Sequence, residues 1–189
     1  MTPRRFSRWL TWLTIGAAFA VPSAAPAQPA PKAAPNPAAQ ATLLGQFGDW
    51  GAYSATPGGK KLCFALSKPT AMVDNPPNRR NASHGVYLFV SSRPTDKVKA
   101  EVSVLIVNYV FKPAADASAT VGGASFALYT QNDGAWVKNA GDEPKLVDAM
   151  RKSADLVIKA TSSRGTQTTD TFSLKGISQA LDRVAQECP

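Results

Sequence analysis

The last third of the chain changes its hydrophobic period once, and the second period ends on one of only two cysteines. Leu156, Ile158 and Ala160 alternate with Asp155, Val157 and Lys159, the period of two that a strand with one buried face requires. Ser162, Ser163, Arg164 and Gly165 read as a turn, because glycine adopts positive φ freely. Residues 166–173 are rich in Thr and suit the returning strand. After Gly176, the residues Ile177, Ala180, Leu181, Val184, Ala185 and Cys188 fall on one side of a 3.6-residue helix, with Gln179, Asp182, Arg183, Gln186 and Glu187 opposite. A hairpin followed by an amphipathic helix needs a sheet for that helix to cover.

Cys63 lies in Leu62-Cys63-Phe64-Ala65-Leu66. Leu62, Phe64 and Leu66 share one face of a strand, and Cys63 shares the other with Ala65. If the leucine face is the core, Cys63 points outward, and the final helix lies on that outer face with Cys188 against Cys63. The expectation is a Cys63–Cys188 disulfide, worth roughly 4–5 kcal/mol in the chain-entropy model; two buried free thiols are the alternative.

The start of the chain reads as a targeting segment. Arg4, Arg5 and Arg8 precede an apolar run over residues 9–21, too short to span a bilayer. Ala25-Pro26-Ala27 then offers small residues for cleavage before Gln28. Residues 1–27 are expected to be a secretory signal peptide, by the general route rather than the twin-arginine one, because Phe6 follows Arg5 directly. Residues 28–42 form a Pro/Ala-rich linker, and residues 43–189 are the folded domain. The mature chain is expected to carry no transmembrane segment and to be periplasmic, secreted or on the cell surface.

The formal charge of the whole chain is +8. Residues 60–112 hold nine basic and three acidic side chains, whereas residues 113–189 hold eight and nine. A basic half of this kind favours an anionic surface such as lipopolysaccharide phosphates, acidic lipid or acidic glycan, and otherwise serves solubility. Nucleic acid is not expected, since the basic residues follow no helix face and do not interleave with regular aromatics.

Phe47-Gly48-Asp49-Trp50 opens the domain, with Trp50 and Tyr53 expected in the core. Residues 68–84 form a long loop with three prolines and Arg79-Arg80, the expected place for recognition because long irregular loops in compact domains are often functional. Residues 86–91 and 102–111 are apolar on both faces and should pair as central strands around the Arg93–Asp96 turn. A further strand over 121–130 bends at Gly122-Gly123, Asn132-Asp133-Gly134 makes a hairpin turn, and Asp142-Glu143-Pro144 opens a short helix. Seven to nine short strands, two helices and no βαβ alternation predict a mainly β fold. It is a single antiparallel β-sandwich or barrel, with the C-terminal helix packed on the outside of the sheet.

Chemistry is sparse. His84 is the sole histidine, and no Gly-x-Ser-x-Gly turn accompanies it. One His and two distant Cys make no zinc set, and no phosphate-cradling glycine loop is present. No catalytic residue, metal ligand or cofactor is expected. Arg79, Arg80, Lys97, Lys99 and Arg164 are the candidates for binding a partner or an anion; Arg164 is suited to a bidentate carboxylate or phosphate contact from its turn beside Gly165, to a local ion pair with Asp170, or to the part of a solvated turn residue.

Several stretches resemble the invasion-associated locus B family. They are Phe47-Gly48-Asp49-Trp50, Cys63-Phe64-Ala65-Leu66-Ser67 with Lys68-Pro69, Arg93-Pro94, Phe126-Ala127-Leu128-Tyr129 with Ala135-Trp136, Leu146-Val147-Asp148-Ala149-Met150-Arg151, Thr161 to Thr166, Asp170 to Gly176, and Ala180-Leu181. Their order and spacing cover nearly all of residues 45–188. The resemblance implies an exported protein of Gram-negative bacteria, from a family named for a role in the invasion of host cells, with no catalytic residues to carry over. The expected function is that of a non-enzymatic envelope or surface protein acting through contacts with a protein or envelope partner. The alternative is a binding module for an anionic envelope component.

Overall fold

Alternating burial builds the central strands and the final hairpin of this domain. The computed structural model describes residues 41–189. Its strands are β1 (Thr42–Phe47), β2 (Trp50–Ala55), β3 (Leu62–Ser67), β4 (Ala71–Asn75), β5 (Gly85–Arg93), β6 (Val98–Val107), β7 (Ala117–Val121), β8 (Ala124–Gln131), β9 (Gly134–Val137), β10 (Asp155–Thr161) and β11 (Gln167–Ser173). Two helices, α1 (Glu143–Lys152) and α2 (Ile177–Glu187), interrupt and end the series. The expected signal peptide and all but the end of the linker lie outside the described residues.

The strands form one antiparallel sheet in the order β1-β2-β3-β5-β6-β9-β8-β7-β10-β11-β4. β1 pairs only with β2 and β4 only with β11, so two edges remain and the sheet does not close into the barrel that the sequence left open. β5 and β6 are central, as their two-sided apolarity predicts, and pair across the expected Arg93–Asp96 turn. Ala52, Ala65, Val90 and Val102 stand side by side in register across β2, β3, β5 and β6, all at most 2 % exposed. They belong to one core that also holds Leu156, Ile158 and Phe172 of the final hairpin.

Three sequence expectations are corrected. The stretch 121–130 is a hairpin, because Gly122 and Gly123, both at positive φ, reverse the chain between β7 and β8. The loop over 68–84 contains the edge strand β4, paired with β11 from Ala71 to Asn75; an exposed edge strand has no buried face, so its residues show no period. The polarity of β3 is also the reverse of that expected. Cys63 and Ala65 are fully buried in the core, whereas Leu62 and Leu66 are half-buried and Phe64 stacks on Tyr53 on the other face. Small Ala65 leaves room on the core side, and α2 fills it.

That helix packs against β1, β2 and β3 through Ile177, Ala180, Leu181 and Val184, while Ala185 stays exposed. Cys188 bonds to Cys63 across a Cα–Cα distance of 6.0 Å, within the ordinary span of a disulfide. The 125-residue separation makes the cross-link worth about 5 kcal/mol in the chain-entropy model. Beside it, Lys61 and Arg183 both pair with Glu187 and hold its carboxyl below the usual range.

The approach of α2 is set by main chain. Asp49 N donates to Lys175 O at 3.0 Å, and Trp50, wholly buried, donates its indole N–H to Ser173 O at 2.9 Å. Gly176 (φ 94°) lies against this contact, where a Cβ would stand 1.9 Å from the carbonyl oxygen of Phe47. Replacing Gly176 with Ala therefore meets backbone, beyond the cost of a left-handed conformation. At Gly123 (φ 82°) a Cβ would meet nothing within 4 Å. Urea unfolding should show Gly123→Ala costing about 1–2 kcal/mol and Gly176→Ala clearly more; equal costs would mean that the seam accommodates a methyl group.

At the start of α1, the half-buried carboxylate of Glu143 accepts the backbone N–H of Val102 at 2.8 Å. Burial pushes its pKa up to about 7, against the pull of that hydrogen bond and with help from the charge of Glu101. The folded state thus keeps the proton longer than the unfolded chain, whose glutamates titrate near 4.5. The contribution of Glu143 to stability is fully present below that value and declines as pH rises through about 7. Glu143→Gln removes this decline. Its stability relative to the parent, measured by urea unfolding, should rise between pH 4.5 and 7.5; a pH-independent difference would refute the assignment.

Candidate functional site

Asp170 sits in β11 between Thr168 and Phe172 on the buried face of the strand, 2 % exposed. A buried carboxylate needs a cation or a set of donors, and Arg80 supplies both. Arg80 Nη1 lies 2.6 Å from Asp170 Oδ1, and Nε lies 2.6 Å from Asp74 Oδ1 of β4. The same guanidinium donates to Tyr109 Oη at 3.4 Å and to Val73 O at 3.3 Å. The side chains of Arg80, Asp74 and Asp170 are 4, 7 and 3 % exposed.

Burial works against the charge of Arg80, but Asp170, Tyr109 and Asp74 more than restore it, so its pKa rises. Burial pushes Asp170 up to about 6 even with the guanidinium opposing it. At neutral pH the carboxylate is ionised and the pair intact. Burial, aided by the charge of Asp170, pushes the Tyr109 phenol up to about 12, so it remains a neutral O–H.

Arg80 and Tyr109 of this network line an open cleft of about 1200 Å³. The β4–β5 loop contributes Pro76, Asn78, Arg79, Arg80 and His84; the end of β6 and the segment after it contribute Leu105 to Val110; Asp133 comes from the β8–β9 turn. The β10–β11 turn and the start of β11 add Ser162 to Thr166 and Thr168. Two braces fix the walls. In the loop, Asp74 Oδ2 accepts the backbone N–H groups of Arg79 and Arg80. In the turn, Gly165 N donates to Ser162 O and Thr166 N to Ser162 Oγ, while Ser163 N docks on Val110 O.

The five basic candidates separate into three situations. Arg79 and Arg164 are exposed and line the cleft together. Arg80 also reaches it but is occupied by Asp74 and Asp170, which leaves Arg164 without the local partner considered for it. Lys97 and Lys99 flank the β5–β6 hairpin tip at the disulfide end of β6. The cleft begins at Leu105 of that ten-residue strand, six residues beyond Lys99 and eight beyond Lys97, roughly 20–26 Å away at about 3.3 Å per residue. The basic half of the sequence is not one surface.

His84 is half-buried. Its Nδ1 lies 2.7 Å from Asn81 Oδ1, and its ring packs on Tyr109 at 5.7 Å. Ser83 Oγ also donates to Asn81 Oδ1, so neighbouring Ser83 and His84 share an amide partner and are not bonded to each other. Among the described residues no group of three or more His, Cys, Asp or Glu side chains is placed to hold a metal ion. Sequence reasoning missed Asp74, Tyr109 and Asp170 as parts of this site. The available signal was Asp170 itself, whose phase with Phe172 places a carboxylate on the buried face and so demands a cation.

Removing the cation should be expensive. Arg80→Leu leaves two buried carboxylates unpaired, and a loss of about 3–5 kcal/mol in urea unfolding is expected at pH 7, shrinking as acid protonates Asp170. Adding Asp74→Asn and Asp170→Asn to that variant should recover part of the loss. A single variant within about 1 kcal/mol of the parent would contradict the buried-pair assignment.

Comparison with known proteins places the chain in a family. No curated protein and no solved structure matches it. The family model described as Invasion associated locus B (IalB) protein matches residues 50–185, from the first residue of β2 to near the end of α2. That span includes the whole cleft, every strand but β1, and Cys63. The chain belongs to the invasion-associated locus B family.

Proposed function

We propose that this is an exported, non-enzymatic protein of the bacterial envelope or cell surface that acts by contact, with the cleft as its contact site, and that it serves host invasion or colonisation. The cleft carries the reading. Walls braced by hydrogen bonds present guanidinium, hydroxyl and amide groups around apolar side chains, the mixed lining typical of a binding site. Ser83 and His84 both turn to Asn81 rather than to each other, which favours binding over nucleophilic chemistry. The disulfide fits an oxidising compartment. Among the described residues no helix is long and apolar enough to cross a membrane. The family name supports an association with invasion.

Photo-crosslinking in living cells tests the site. A benzophenone amino acid at Ser163, on the exposed β10–β11 turn, should yield a discrete adduct on irradiation. The same group at Lys97, on the far hairpin, should yield none. Adducts at Lys97 alone, from protein that is exported and disulfide-bonded in both variants, would move the contact site away from the cleft.

A further inference from the structure

Six arginines lie among the described residues. Four are in ion pairs: Arg80 with Asp74 and Asp170, Arg93 with Asp96 and Glu101, Arg151 with Asp182, and Arg183 with Glu187. The other two, Arg79 and Arg164, have no side-chain partner there, and both line the cleft. They stand on separately braced walls, one held by Asp74 through its backbone N–H and the other by the closed turn at Gly165. Tyr109 is in the same lining; its phenolic oxygen accepts from Arg80, and its own proton is free to donate. Asp133 is the sole carboxylate in the lining.

The same cleft exposes apolar surface. Val107 and Val110 are 38 and 42 % exposed, two of the six large hydrophobic residues with that much exposure among the described residues, and both are in the lining. The volume of about 1200 Å³ is above the usual range of roughly 300–1,000 Å³ for small-molecule pockets, so an isolated small anion would leave most of it to water.

Resting on the reading of the cleft as a contact site, we infer that it takes an anionic amphiphile. Arg79 and Arg164 receive a phosphate or carboxylate head group, and Val107 and Val110 receive the apolar body attached to it. A guanidinium matches the oxygens of either group in bidentate geometry, and an unpaired arginine gains more from such a partner than one already neutralised. The apolar body gains from covering two valines that water now reaches.

Calorimetric titration of the purified exported protein tests this with defined probes. Soluble short-chain phosphatidic acid should bind. Inorganic phosphate and short-chain phosphatidylcholine should each bind at least about tenfold more weakly. Arg79→Gln with Arg164→Gln should weaken phosphatidic acid binding by at least about tenfold, and Val107→Ser with Val110→Ser should weaken it without restoring a preference for phosphate. None of these four residues belongs to the core, so folding can be confirmed for each variant by urea unfolding. Flotation with phosphatidylcholine vesicles, with and without phosphatidic acid, distinguishes a bilayer from a single captured molecule as the source. Phosphatidic acid binding that survives loss of both arginines, or phosphate binding as tight as phosphatidic acid binding, would overturn the inference. Crosslinks at Ser163 without phosphatidic acid binding would sink this ligand class and leave the contact site standing.

Discussion

A short stretch of main chain makes this open sheet behave as one body. An eleven-stranded sheet with two free edges has its first strands and last hairpin far apart along the ladder, and no strand pairing joins them. The backbone bond from Asp49 to Lys175, the indole bond from Trp50 to Ser173, and the close packing of Gly176 on Phe47 do so instead. These contacts bring β2 against the end of β11 and aim α2 across the β1–β3 end. Only with the helix in that place does the apolar stripe from Ile177 to Val184 meet Ala52 and Ala65, and only then do Cys63 and Cys188 come within bonding distance. The disulfide fixes an arrangement that packing has already chosen.

The opposite margin is held by charge. β4 is an edge strand with Met72 and Val73 exposed, so it has little apolar burial with which to hold itself on β11. The buried Arg80, reaching from the β4–β5 loop to Asp74 and Asp170, ties strand, loop and hairpin together. A buried ion pair of this kind contributes less net stability than a comparable apolar contact, but its geometry is demanding. It fixes where the loop runs, and therefore where the neighbouring Arg79 stands. The structural arginine positions the unpaired one.

Periodicity made much of this fold legible. The 155–173 hairpin, the stripe of α2, the helix opening at Asp142-Glu143-Pro144 and the central β5–β6 pair all follow from residues whose two faces differ. It failed where faces do not differ or where both are occupied. β4 has no buried face, and β3 is flanked on one side by the core and on the other by an aromatic cluster of Tyr53, Phe64 and Phe89. For β3 the larger side chains lie on the second face, so size gave the wrong polarity; Cys63 and Ala65 are small because a helix covers them. The site was less legible still, since its walls come from four separate stretches of the chain. Arg79 and Arg80 are adjacent and identical in type, and only the inward phase of Asp170, some ninety residues on, says that one of them is buried.

The charge distribution illustrates why composition is a poor guide to an anion site. Nine basic side chains over 60–112 suggest a broad cationic surface. In the folded chain Lys60, Lys61, Arg80 and Arg93 are each within ion-pair distance of a carboxylate, and the partners of Lys61 and one partner of Arg80 come from the nominally acidic half. Lys97 and Lys99 are at the end of β6 remote from the cleft. The long-range field is therefore that of interspersed charges, which at physiological salt is screened within about 8 Å. Recognition of an anion must then depend on local geometry, on guanidinium groups without partners that extend from braced backbone. Those are found where the β4–β5 loop meets the β10–β11 turn, with Arg79 from the basic half and Arg164 from the acidic one.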